Sequence, residues 1–276
     1  MKAKDIKVVI TDLVYKRIYT EIALHHPERG GALFGPKGLP FITHFEMDID
    51  AETTAVSYIP STRLINRVPN IEVEIGLQFK GIIHSHPRGV IQPSRGDADT
   101  VSSFFRLNPH FSAMALPIVQ QVQDISDCFI YWYRAEKYAE RNIPRPIFDR
   151  FMGAPSPVSI IKEDFFILPI SEHVKIIIDK LADQNINLVM AEQVNFLKIK
   201  NSDMVGITSK SVHGHEFIYF VSIDYPVVSP VILYQINGET KLLKVGWVGL
   251  QNPLEAVVGV AKELLAEWLP LSSTNI

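Results

Sequence analysis

His84 and His86 stand one residue apart at the end of the apolar run Phe79 to Ile83, which is predicted to be a buried strand. On an extended chain, residues i and i+2 point to the same side, so both imidazoles can be offered to one ion. Pro87 then stops the strand, a Gly/Pro-rich loop follows, and Ser94 to Asp97 have the form of a helix entry. From that entry Asp97 can reach back as a third ligand. Two neutral imidazoles and one carboxylate, with a coordination position left for water, are the inventory of a catalytic zinc site. Ser94 is also a natural N-cap, and Asp97 is an acid placed favourably for the helix dipole. Those structural roles and a place at a metal site are compatible.

The elements that must position these groups follow from periodicity. Ile6 to Ile10 reads as a first strand, and Thr11 or Asp12 can cap a helix running to Leu24. His25-His26-Pro27 ends that helix, which leaves Glu28 on the connection into a strand from Gly31 to Phe34. Strands are expected at Pro40 to Ile49 and Thr54 to Ile59, then a partly exposed helix from Ser61 to Glu74 interrupted at Pro69. After the histidines come a helix from Asp97 to Leu107 and strands at Ser112 to Val119 and Cys128 to Arg134. Strands with a few helices packed on them make an α+β domain.

The spacing His-x-His, seven residues, Ser, two residues, Asp resembles the signature of the JAMM (JAB1/MPN+) zinc metalloprotease family, in its prokaryotic JAB form. The segment Pro27-Glu28-Arg29-Gly30-Gly31-Ala32-Leu33-Phe34-Gly35 resembles the family's upstream glutamate and glycine-rich strand. The resemblance covers roughly residues 6 to 135. It implies an MPN-type mixed sheet flanked by helices, with Zn2+ on His84, His86 and Asp97. It also implies Glu28 as a general base beside the metal and Ser94 as the donor to the oxyanion. The implied activity is hydrolysis of an amide or isopeptide bond at the C-terminus of a ubiquitin-like or sulfur-carrier-like protein. Two other readings fit the same chain: a catalytically silent MPN-type scaffold, and a JAMM hydrolase of small peptides or small molecules.

Residues 135 to 157 change character, with charges followed by Pro144, Pro146, Pro155 and Pro157. The expected division is a metallopeptidase domain over residues 1–140, a linker over 141–157 and a second α+β domain over 158–276. In that domain a helix from Ser171 to Gln184 precedes strands at Leu188 to Ile199, Met204 to Thr208, Phe217 to Ile223 and Val231 to Ile236. A helix from Pro253 to Trp268 closes it. With the Tyr225-Pro226 and Pro230 turn, this order resembles a ubiquitin-conjugating or RWD-like fold. The one cysteine, Cys128, lies before this half, so thioester transfer there is excluded and a recognition role is expected. The resemblance further implies an activating- or conjugating-like enzyme of the same pathway as a partner.

With 27 basic and 30 acidic residues the chain lacks the basic excess that nucleic-acid binding calls for. No apolar run is long enough to span a bilayer and the first residues carry no signal-like apolar stretch, so a cytoplasmic protein without a membrane partner is expected. His213-Gly214-His215 repeats the His-x-His spacing in a polar turn, without a third ligand nearby in sequence.

Overall fold

The computed structural model describes residues 8–55, 57–122, 129–137, 158–199, 202–236, 238–247 and 252–268. Cys128 and the linker expected at 141–157 lie outside these residues. The fold is α+β, and the chain divides into two compact units. One comprises the described residues from Val14 to Phe165, together with Val8. The other gathers Val9–Leu13 with the described residues from Phe166 onward.

The chain begins with β1 (Val8–Thr11) and α1 (Asp12–Ile18), which runs on into a π-helical turn at Tyr19–Ala23. Five strands follow in the first of the two units: β2 (Gly30–Gly35), β3 (Phe41–Ile42), β4 (His44–Met47) and the hairpin of β5 (Glu52–Thr54) with β6 (Ser57–Ile59). The expected single strand Thr54 to Ile59 is therefore two strands. They are paired Glu52 to Ile59, and a Thr54 Oγ1 to Ser57 Oγ contact of 2.7 Å closes the turn.

Helix α2 (Thr62–Ile75) begins at Ser61, whose hydroxyl accepts from the Leu64 amide, and ends at Gly76 in the left-handed conformation (φ 65°). The expected interruption at Pro69 does not occur, because α2 is continuous through it. Pro69 removes the amide that would bond the carbonyl of Ile65, and both residues lie on the exposed face, where water can take that carbonyl.

The long strand β7 (Gln78–His86) is the axis of an eight-stranded sheet. Next along the chain come α3 (Arg95–Leu107), β8 (Ala113–Ala115), β9 (Ile118–Gln120), β10 (Ile130–Tyr131), β11 (Tyr133–Lys137) and β12 (Val158–Lys162). The strand order is β10-β9-β7-β8-β11-β12, with β2 antiparallel to β7 and to β4. Along one edge β7 pairs in parallel with β8 at Gly81 and with β9 at His84 to His86. Gly81 is required at the fork: its φ is 157°, and a Cβ there would sit 2.0 Å from the Ala115 carbonyl oxygen. The core of this unit joins the sheet to α2 and α3 through Phe34, Phe79, Leu64, Ile71, Val101, Phe105 and Met114.

The other unit contains β13 (Phe165–Leu168), which pairs with β1, and α4 (Ile170–Ala182). An antiparallel meander follows in sequence order: β14 (Val189–Ile199), β15 (Ser202–Lys210), β16 (Glu216–Ser222), β17 (Val231–Ile236) and β18 (Glu239–Leu243). Helix α5 (Pro253–Trp268) packs on α4, and α4 packs on β15 and β16. Asp12 belongs to this unit. Its carboxylate accepts from the Ser171 amide (2.9 Å), the Ser171 hydroxyl (2.7 Å) and the Glu172 amide (2.9 Å). Pro169 at the N-cap of α4 offers no side-chain acceptor, so Asp12 supplies the cap from the far end of the sequence.

Candidate metal centre

His84 and His86 close β7, and their shared parity puts both rings on one side of the strand. Ser94 opens α3 with its hydroxyl accepting from the Asp97 amide (3.2 Å), while the Asp97 carboxylate accepts from the Ser94 amide. This reciprocal capping box fixes the Asp97 side chain. The same carboxylate meets the histidines: Oδ1 is 3.0 Å from His84 Nε2, and Oδ2 is 3.4 Å from His86 Nε2. The two Nε2 atoms are 3.0 Å apart.

These separations suit a cation. Around a tetrahedral zinc with bonds of about 2.0–2.1 Å, ligand atoms stand roughly 3.3 Å apart. Two imidazole Nε2 atoms and a carboxylate crowd a single point, an arrangement that a positive charge at that point would stabilise. All three side chains are largely buried, at 4, 6 and 14% exposure. Among the described residues, His84, His86 and Asp97 form the one group able to hold a metal ion.

Glu28 reaches the same place through the sheet register. Gly30 pairs with His84, and the pairing carries on past the strand end. The Ser85 amide donates to the Arg29 carbonyl (2.7 Å), and the Arg29 amide donates to the Ser85 hydroxyl (2.9 Å). Continued by one residue, this register brings Glu28 beside His86 on the histidine side. Gln121 secures the approach: its amide donates to the His86 carbonyl (3.4 Å) and its side chain to the His25 carbonyl (2.9 Å).

Burial and charge separate the two acids. Glu28 is buried, and desolvation pushes its carboxyl up to about 7. The imidazole of His86 pulls it down by a smaller amount, and the charge of Asp97 adds to the rise. Desolvation also opposes ionisation of Asp97, but hydrogen bonds from His84 and His86 outweigh it and hold that carboxyl well below the usual carboxylate range. One acid is thus held ionised, and the other is poised to exchange a proton near neutral pH.

No family model and no curated protein matches the chain. Solved structures are similar at low identity. A protein of Desulfitobacterium hafniense, solved in solution, aligns over 59% of this chain and 93% of its own length, with 10% identity and a TM-score of 0.42. A JAB1/MPN domain protein from Archaeoglobus fulgidus aligns over 59% of this chain and 98% of its own, with 14% identity and a TM-score of 0.31. The chemistry of the site rests on its geometry and not on these likenesses.

The structure therefore brings His84, His86 and Asp97 together, sets Glu28 beside them, and puts Ser94 at the start of the helix that carries Asp97. Tyr58 and Asp48 also belong here, although nothing in the sequence marks them. The Tyr58 ring lies against that of His84, with centroids 5.6 Å apart and an interplanar angle of 12°. The Tyr58 hydroxyl donates to buried Asp48 (3.2 Å), which also accepts from the amide and hydroxyl of Ser61. His213 and His215 gain no partner of this kind. The His215 ring rests on Trp268 at 4.9 Å, and no carboxylate joins the pair to form a metal group among the described residues.

Proposed function

We propose that the protein is a JAMM-type zinc hydrolase. It cleaves an amide or isopeptide bond at the C-terminus of a ubiquitin-like or sulfur-carrier-like protein. The observation that carries this reading is the meeting of His84 Nε2, His86 Nε2 and the Asp97 carboxylate, with the raised carboxyl of Glu28 alongside. Zinc held by His84, His86 and Asp97 supplies Lewis acidity toward water and toward the scissile carbonyl.

Glu28 as carboxylate takes a proton from the attacking water, and as the acid it passes that proton to the leaving amine nitrogen. With water added across the bond, the products are a carboxylate and an amine. Ser94 accepts from the Asp97 amide, which leaves its hydroxyl proton available to a developing oxyanion. Capping and catalysis then use different atoms of one hydroxyl group.

The substrate class follows from the resemblance of the His-x-His, Ser and Asp spacing to the JAMM signature. A flexible tail laid along a strand edge would add main-chain hydrogen bonds to whatever its side chains contribute. The unit built on α4, the meander and α5 is the recognition module for the protein substrate or for an activating- or conjugating-like enzyme of the pathway. Its ubiquitin-conjugating or RWD-like character is part of the same proposal, as is a cytoplasmic location. Among the described residues no helix is long and apolar enough to cross a membrane.

Zinc analysis of the purified protein, paired with cleavage of ubiquitin-like fusion proteins, tests the reading. About one zinc per chain and release of the fusion tail are expected. Zinc binding without hydrolysis of any fusion would identify a silent scaffold. Failure to bind zinc under metal-replete conditions would overturn the proposal.

A further inference from the structure

Most metal-binding histidines are held in place by a hydrogen bond from the second ring nitrogen to a carboxylate or carbonyl. Among the described residues no such bond is formed here. The Nδ1 atoms of His84 and His86 are buried, and neither has a hydrogen-bond partner among the described residues. Both histidines are paired with β9 and meet the Asp97 carboxylate. His84 has one contact more, because the near-parallel ring of Tyr58 lies against it with centroids 5.6 Å apart.

Tyr58 is itself fixed on two sides. Its hydroxyl donates to Asp48, a carboxylate that is 5% exposed and is locked by two hydrogen bonds from Ser61. Its ring occupies the space over Gly30, the residue paired with His84, where a Cβ would come within 2.6 Å of Tyr58 Cζ. Tyr58, His84 and Asp97 also line one small cavity. The chain of support therefore runs from Ser61 through Asp48 and Tyr58 to the His84 ring.

We propose that Tyr58 is the positioning residue of the metal centre, orienting His84 by stacking in place of an Nδ1 hydrogen bond. The inference rests on the zinc reading of His84, His86 and Asp97. It is read from metal affinity and not from turnover. Zinc affinity of the full-length chain is measured by competition with a chromophoric chelator, and ligand geometry by the visible absorption of the cobalt-substituted protein.

Tyr58→Phe keeps the stack and is expected to retain wild-type affinity and the wild-type cobalt spectrum. Tyr58→Leu removes it, and should weaken zinc binding by about 10- to 100-fold, the usual effect of losing a residue that orients a ligand, with a changed cobalt band. Tyr58→Leu with wild-type affinity and spectrum would overturn the positioning role while leaving the zinc site intact. If Tyr58→Leu does not fold, Tyr58→Phe decides: affinity as weak as that of His84→Ala overturns the role, and wild-type affinity supports it. A wild-type protein that takes up no zinc would overturn this inference together with the reading beneath it.

Discussion

Gly30 lies directly opposite His84 in the β2–β7 pairing, so the place facing the first candidate ligand carries no side chain. The space is already filled: a Cβ on Gly30 would meet the Ile83 carbonyl oxygen and the Tyr58 ring at 2.6 Å each. Gly30→Ala is expected to cost about 1–3 kcal/mol of stability, the usual range for overpacking, because one neighbour is backbone and cannot turn aside. Urea denaturation of the full-length chain measures this, and an unchanged midpoint would show that the ring moves freely.

Replacing both histidines, His84→Ala with His86→Ala, should lower zinc from about one per chain to a trace. The fold should survive, since Phe34, Phe79, Val101 and Phe105 form a core that does not include the rings. Metal analysis and far-UV circular dichroism read the two parts. Equal zinc in the wild type and the variant would sink the ligand assignment.

Glu28→Gln should keep zinc and lose nearly all hydrolysis, because the amide preserves shape and removes the base. Loss of zinc with normal turnover per bound metal would instead make Glu28 a ligand.

Ser94 has two duties that substitution can separate. Glycine is nearly as good an N-cap as serine, whereas alanine costs about 1 kcal/mol there. Both Ser94→Gly and Ser94→Ala should lower kcat by roughly 10²- to 10³-fold if the hydroxyl serves the oxyanion. Only Ser94→Ala should lower the melting temperature. A rate loss that tracks stability across the two variants would reduce Ser94 to a cap.

The raised carboxyl of Glu28 predicts a pH dependence in the metal-free protein. Its folded pKa of about 7 exceeds the ordinary 4.5, so between these values the native state binds more protons than the unfolded chain. Stability must then fall as pH rises through this window, by at most about 3 kcal/mol from this one group. Glu28→Gln should remove that part of the slope. Parallel stability curves for wild type and variant between pH 5 and 7.5 would show that Glu28 titrates normally.

The convergence of the site's side chains is legible in the sequence where its geometry is local. His84 and His86 share a face because a strand alternates, and Asp97 is placed by a capping box three residues long. Glu28 could be placed only through the family's motif, since its position depends on a pairing between residues 56 apart. Tyr58 was invisible for a related reason. The turn between Thr54 and Ser57 is closed by two hydroxyl groups and no glycine, proline or asparagine, so Thr54 to Ile59 read as one strand. Strand β12 likewise needs β11 beside it, and β13 needs β1. The usual habit of proline as a breaker misleads at Pro69, because an exposed helix face tolerates the missing hydrogen bond.

The acceptor that caps α4 has a consequence for synthesis. Asp12 leaves the ribosome 159 residues ahead of Ser171. At roughly 5–20 residues per second, that is a wait on the order of 10 to 30 seconds. During that interval residues 9–13 have no native partner in their own unit, while the segment after them can already begin to collapse. The last unit to be made is therefore completed by some of the first residues made.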